Sequence, residues 1–191
     1  MKSRYIPITQ QPYCCLAACI QMVMYRRGIP LVSQETIAYE LGLTVPKKDE
    51  HLFLKVHQRE KGRKGWGMNI SWKKYDLDKG LKKLKIPLKA RYLLSSKIDT
   101  VNDLKEELQA VQEEGVDILI SFAYEEVWGG KGESAHVCVF DKIVGNNVWM
   151  IDPEQKVPKF RHTTVQKLHM GIKKNGIDSF DGLYLLESIE D

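Results

Sequence analysis

The chain has 191 residues, enough to bury a real core, and its 43% hydrophobic and 28% charged residues exclude a disordered or fibrous class. No apolar run approaches the ~20 residues a membrane span requires, and residues 1–9 lack the apolar stretch of a Sec signal. The formal net charge of +4 is uneven, because residues 47–91 hold 15 Lys/Arg against 5 Asp/Glu and leave the remainder net acidic.

From residue 15 to residue 27, apolar side chains cover most of a helix surface, with Gly28 as a stop and Pro30 beyond it. A helix apolar on nearly every side belongs at the centre of a fold. Ser33 suits the cap of a short second helix over residues 34–41, closed by Gly42. A third helix is expected over residues 49–60, followed by a glycine-containing basic loop at 61–67 that suits a mobile lid. Residues 77–84 read as a short helix before Pro87, and 88–94 as a strand.

Thr100 with Asp103 three residues on resembles a capping box, and Val101, Leu104, Leu108 and Val111 share one face of the helix that Gly115 ends. Strands are expected at 116–123, 136–144 and 148–151, the last two joined by the hairpin turn Gly145-Asn146-Asn147. Residues 164–170 read as a helix and 183–186 as a closing strand. Helices first and strands later favour an α+β architecture over a doubly wound parallel sheet. No repeat or linker divides the chain, so residues 1–191 are read as one domain.

The four cysteines are Cys14, Cys15, Cys19 and Cys138. They are too few and too clustered for a disulfide framework, so reduced thiols in a cytoplasm-like compartment are expected, with export by a non-Sec route left open. A thiol attacks as thiolate, and its free pKa of ~8.5 leaves little of it ionised near neutral pH. A helix N-terminus and an imidazolium partner both lower that value, and the sequence offers both. Cys14 and Cys15 stand at the start of the buried helix, and His136 stands in a β-patterned segment. Asp152, on the strand paired with that of His136, suits the task of holding the imidazole's tautomer. A glutamine just upstream, Gln10 or Gln11, suits an oxyanion donor beside the cysteine's own N–H.

These residues resemble the papain-like cysteine peptidases that process the double-glycine leaders of bacteriocins, found at the N-terminus of some bacterial ABC exporters. Members read Gln, a few residues, Cys-Gly, then a small-residue helix with Ala and Met-Val and a closing Gly. A His that opens an apolar strand and an Asp-Pro follow later. Here Ala18, Met22-Val23 and Gly28 fall in register with Cys15 as nucleophile and slip by one with Cys14, while His136 and Asp152-Pro153 match the later motif. Three positions depart from the pattern. Leu16 stands where the family has Gly, Cys14 where an acidic or small polar residue is common, and Gln10 lies one residue closer than usual.

The resemblance implies a papain-like fold in which N-terminal helices, the nucleophile helix among them, pack on a C-terminal antiparallel sheet. It implies Cys15, His136 and Asp152 as the catalytic set, Gln10 in the oxyanion hole, a peptide or protein substrate, and neither cofactor nor metal. The same acyl-enzyme resolved by an amine would give an acyltransferase or deamidase instead. A catalytically idle peptide-binding module is the reading from another class.

The remaining features have plainer readings. Cys19 and Cys138 sit on apolar patterns and read as core, and His51, His57, His162 and His169 as structural. A zinc site from Cys14, Cys15, Cys19 and a His does not match the usual Cys-x2–4-Cys ligand loop. The basic block contains Trp66, Trp72 and Tyr75 but no recognised nucleic-acid motif; it reads as a solvated face, or as a grip for an acidic protein, and no nucleic acid is expected. The glycine-rich residues 128–132 stand where they would edge a cleft next to His136.

Overall fold

The computed structural model describes residues 3–57, 65–68, 70, 75–129, 135–175 and 182–189. Its centre is a six-stranded antiparallel sheet of β1 (Leu88–Leu94), β2 (Asp117–Ala123), β3 (Ala135–Val144), β4 (Asn147–Ile151), β5 (Phe160–Thr164) and β6 (Gly182–Ser188). The spatial order is β1-β6-β2-β3-β4-β5, so the last strand in the chain lies between β1 and β2. β2 is buried at every position, as a strand covered on both faces must be.

Alternation along the strands divides the core in two. Leu88, Leu119, Val137, Val139, Ile151, Tyr184 and Leu186 face one way and join an apolar cluster with the first two helices, α1 (Cys15–Arg26) and α2 (Gln34–Glu40). Ile118, Ile120, Cys138, Phe140, Met150, Leu183 and Leu185 face the other way. They pack with the helices α4 (Val101–Glu114) and α6 (Val165–Asn175). Two short helices, α3 (Leu77–Lys83) and α5 (Tyr124–Trp128), flank β1 and continue β2.

The local signals explain why these segments form these elements. α1 buries nine consecutive residues, Leu16 to Met24, as its apolar circumference requires. Leu16, at the position where the family pattern has glycine, is part of that core. Ser33 caps α2 by accepting from the Thr36 N–H. Thr100 and Asp103 make both bonds of the capping box, and Gly115 ends α4 in the left-handed conformation at φ 72°. The β3–β4 hairpin closes through Gly145-Asn146, with Val144 paired to Asn147 and Gly145 at φ 60°, a first-position glycine of the type II′ kind.

Three expectations are corrected. The third helix is a 3-10 turn, Lys47–Leu52, with no buried residue, and Leu54 is 91% exposed. Past the turn, Phe53 and Val56 pack partly buried against the core from non-helical backbone, and local propensity alone does not sustain a helix. The helix expected at 164–170 runs on to Asn175, and the closing strand is longer than its apolar centre. β5 and α5 are elements that the sequence pattern does not announce. The lid expected at residues 61–67 lies mainly outside the described residues, although Gly67 is fixed by two backbone hydrogen bonds to Thr44 of 2.8 and 2.9 Å. Trp72 of the basic block and residues 130–132 of the glycine-rich stretch also lie outside them.

Candidate active site

α1 packs on β3, and the Cys19 thiol donates to the Val137 carbonyl at 3.4 Å, which sets the first turns of the helix over the start of the strand. Cys15 is the first residue of that helix and His136 the second of that strand. Cys14, at the N-cap, makes no side-chain capping bond. The orphan N–H groups of the first turn therefore keep their preference for an anion.

The two adjacent thiols differ sharply. Cys14 is fully buried, and burial, followed by the neighbouring Cys15 and Glu35, pushes its thiol up to about 12. It is core. Cys15 is partly exposed and interacts with the His136 imidazole. Of the pair, Cys15 alone combines access to solvent with contact to a base.

His136 Nε2 lies 2.8 Å from Asp152 Oδ1. Asp152 is fully buried just beyond β4, and three groups hold it: His136 and the Glu154 N–H (2.9 Å) on Oδ1, and Arg161 Nη1 (2.8 Å) on Oδ2. Burial disfavours the Asp152 carboxylate, but His136, the Glu154 N–H and Arg161 outweigh it and lower the pKa below its ordinary value. Burial likewise disfavours the His136 imidazolium, yet its pKa is raised well above 6.5 by Cys138, Asp152 and Cys15. Burial pushes the Cys138 thiol up to about 11, so near pH 7 it is neutral, and Asp152 is the buried carboxylate bonded to the imidazole. The Tyr124 and Phe122 rings, with centroids 5.3 and 6.0 Å away, stand nearly perpendicular to the imidazole and flank it.

Gln10 is tied to the same corner. Its N–H donates to the Pro153 carbonyl at 2.9 Å and its Nε2 to Glu154 Oε2 at 3.1 Å, while Gln155 Nε2 donates to its carbonyl at 3.0 Å. An amide nitrogen carries two hydrogens, so the bond to Glu154 leaves one for a substrate. The Gln10 Oε1 is buried without a partner among the described residues. The side chain of Gln11 is exposed, and its backbone is engaged by Gln34 Oε1 and the Cys14 N–H.

Two participants escape the sequence reading. Cys138 is fully buried, as a core cysteine should be, but it lies beside His136 and Asp152, two residues along the strand from the former and on the same face. That spacing is the available signal. Arg161 lies on β5, itself unannounced, and nothing in its polar surroundings marks it. Among the described residues, the donor cluster with metal-like spacing is His136, Cys138 and Asp152, within 4.8 Å, and not Cys14, Cys15 and Cys19. Both Asp152 oxygens already accept charged or backbone donors, which makes the trio a closed hydrogen-bonded cluster. Three further histidines have local partners: His57 stacks on Tyr39, His162 lies against Trp149, and His169 meets the Ile98 carbonyl.

No protein-family model matches the sequence, and no curated protein matches it. Solved structures do. One is a double glycine motif protease from an AMS/PCAT transporter in complex with the leader peptide. It is 15% identical with a TM-score of 0.53, over 98% of this chain and 94% of that one. Another, from Bacillus anthracis, is assigned as a C39-like peptidase and is 14% identical with a TM-score of 0.59, over 97% and 96% of the two chains. The fold is therefore that of the papain-like C39 peptidases, an α+β arrangement of helices on an antiparallel sheet. The relation is distant.

Proposed function

We propose that the chain is a cysteine peptidase that cleaves a peptide or isopeptide bond through an acyl-enzyme on Cys15. The observation that carries this reading is a partly exposed thiol at the first position of a buried helix, interacting with an imidazole that is itself bonded to a buried carboxylate. Cys15 Sγ attacks the scissile carbonyl as thiolate, the C–S bond forms, and the C–N bond breaks as His136 gives its proton to the leaving amine. Water, deprotonated by His136, then releases the acid. Asp152 holds the imidazole's Nε2 and stabilises its charge, and the Cys15 N–H with Gln10 Nε2 serves the oxyanion. The peptidase fold and the leader peptide bound by one of the structural neighbours support a peptide as the substrate class.

Trapping with a peptide electrophile tests the assignment, with the modified residue located by mass spectrometry. Modification is expected on Cys15 and is expected to vanish in His136→Ala. Labelling at Cys14, or spread over all four thiols, sinks the assignment. A Cys15 no more reactive than a model thiol turns the reading to a peptide-binding module.

A further inference from the structure

The guanidinium of Arg161 occupies a built position. Its side chain is 18% exposed, its Nη1 donates to both Asp152 Oδ2 (2.8 Å) and the Tyr124 hydroxyl (3.1 Å), and its Cζ lies 3.9 Å from the centre of the Trp128 ring. Three elements converge on it: β5 carries the arginine, α5 supplies Tyr124 and Trp128, and the end of β4 supplies Asp152. The pairing of Met150 with Arg161, continued by the Asp152 N–H bond to the Lys159 carbonyl, fixes where the arginine stands relative to the carboxylate.

We propose that Arg161 is a positioning residue for the Cys15–His136–Asp152 set: it pins the second oxygen of Asp152 and tempers the charge that Asp152 exerts on His136. This rests on the thiol-peptidase reading of the site. With Oδ2 held by a stacked guanidinium, the carboxylate cannot turn about its last torsion, and Oδ1 stays aimed at the imidazole. The bound cation also offsets part of the carboxylate's charge, so His136 holds its proton less tightly than an unopposed Asp152 would make it. A proton held too tightly is given up slowly to a leaving amine. Lysine could supply the charge but not the flat guanidinium face that stacks on Trp128 and aims Nη1 at Asp152.

The other groups facing this corner differ in kind. Lys159 Nζ is spent on the Pro153 and Glu154 carbonyls, and the Glu154 carboxylate accepts from Gln10 Nε2 and the Gln155 N–H. Cys15 on α1 and Cys138 on β3 face His136, Cys19 on α1 lies within electrostatic reach of Asp152, and the Tyr124 ring covers the imidazole. A change at Arg161 removes none of these groups and among them frees only the Tyr124 hydroxyl. A Tyr124→Phe control, which loses that bond and keeps the ring, leaves the remaining shift in the imidazole's titration to the guanidinium itself.

The test follows the His136 imidazole by NMR through a pH titration in wild type, Arg161→Met and Arg161→Lys, alongside kcat and KM on any cleaved peptide. In Arg161→Met the midpoint is expected to rise by about half a unit or more, with kcat down about 10-fold and KM within about twofold. Arg161→Lys is expected to bring the midpoint back near wild type while kcat stays low. An Arg161→Met that loses thermal stability but keeps the wild-type midpoint and pH profile overturns the proposal, because a covering role alone would do that. If Arg161→Met does not fold, Arg161→Lys decides the matter, and wild-type kcat there overturns the proposal. The titration needs no substrate, so an inert Cys15 would defeat the peptidase reading while leaving the Arg161 result readable. A reactive Cys15 with an unmoved midpoint would sink the Arg161 role alone.

Discussion

Cys15 and Cys138 both reach the same imidazole, and their surroundings separate what each can do. Cys138 is sealed from solvent and held as a neutral thiol by burial, whereas Cys15 opens to the outside at the first residue of α1. In the proposed mechanism the leaving amine takes its proton from His136, so activity requires His136 to be protonated. Because Asp152 raises the His136 pKa above its ordinary 6.5, the alkaline limb of activity is expected above that value. Asp152→Asn removes the anion, so the limb should move toward acid, with kcat lower by on the order of 100- to 10,000-fold by analogy with other triads. The pH profile of kcat/KM on a cleaved peptide in wild type and variant measures the limb, and an unmoved limb would mean that Asp152 does not set the imidazole's charge.

Among the elements, those with a periodic apolar pattern and a cap are legible from sequence: α1 from its apolar circumference, α4 from Thr100 and Asp103, and the β3–β4 hairpin from Gly145-Asn146. These elements are enough to put Cys15, His136 and Asp152 at element ends. β5 is hidden because only Thr163 of its five residues is buried, so no alternation marks it, and five-residue α5 is shorter than two helical turns. With β5 hidden, the contact of Arg161 with Asp152 is invisible too, since it exists only through strand pairing. α4 packs behind the sheet, and its cap bonds stay between Thr100 and Asp103. Thr100→Ala should therefore cost about 1 kcal/mol in denaturant unfolding and leave Cys15 reactivity unchanged. A change in that reactivity would tie the α4 cap to the site.

Across the whole molecule, the buried Asp117 joins parts far apart in sequence. It accepts from the Tyr5 hydroxyl at 2.5 Å, from Arg27 Nε at 2.5 Å and from Arg26 Nη1, tying the N-terminal segment and the end of α1 to the start of β2. The Arg26 and Arg27 side chains remain 25% and 21% exposed, so some hydration remains if the carboxylate is lost. Asp117→Ala should cost about 2–3 kcal/mol of unfolding free energy, below the 3–5 typical of a fully buried pair. An unchanged denaturation midpoint would show that the cluster adds nothing to stability. The tie lies at the far end of α1 from Cys15, which makes this a question of how firmly the helix is anchored.

The place of β6 in the sheet has a consequence for how the protein is made. As the chain leaves the ribosome, β2 to β5 can pair as successive hairpins, but β1 must wait, since among the described residues its strand partner is β6, about a hundred positions later, where Leu88 meets Ser188. Until that strand arrives, Leu119 and Ile118 have an open edge and the cluster under α1 lacks Tyr184 and Leu186. Such distant pairing is slow to form. α1 can already settle on β3 in the nascent chain, but the sheet face beneath it, and with it the setting of Cys15, is complete only once synthesis has passed β6.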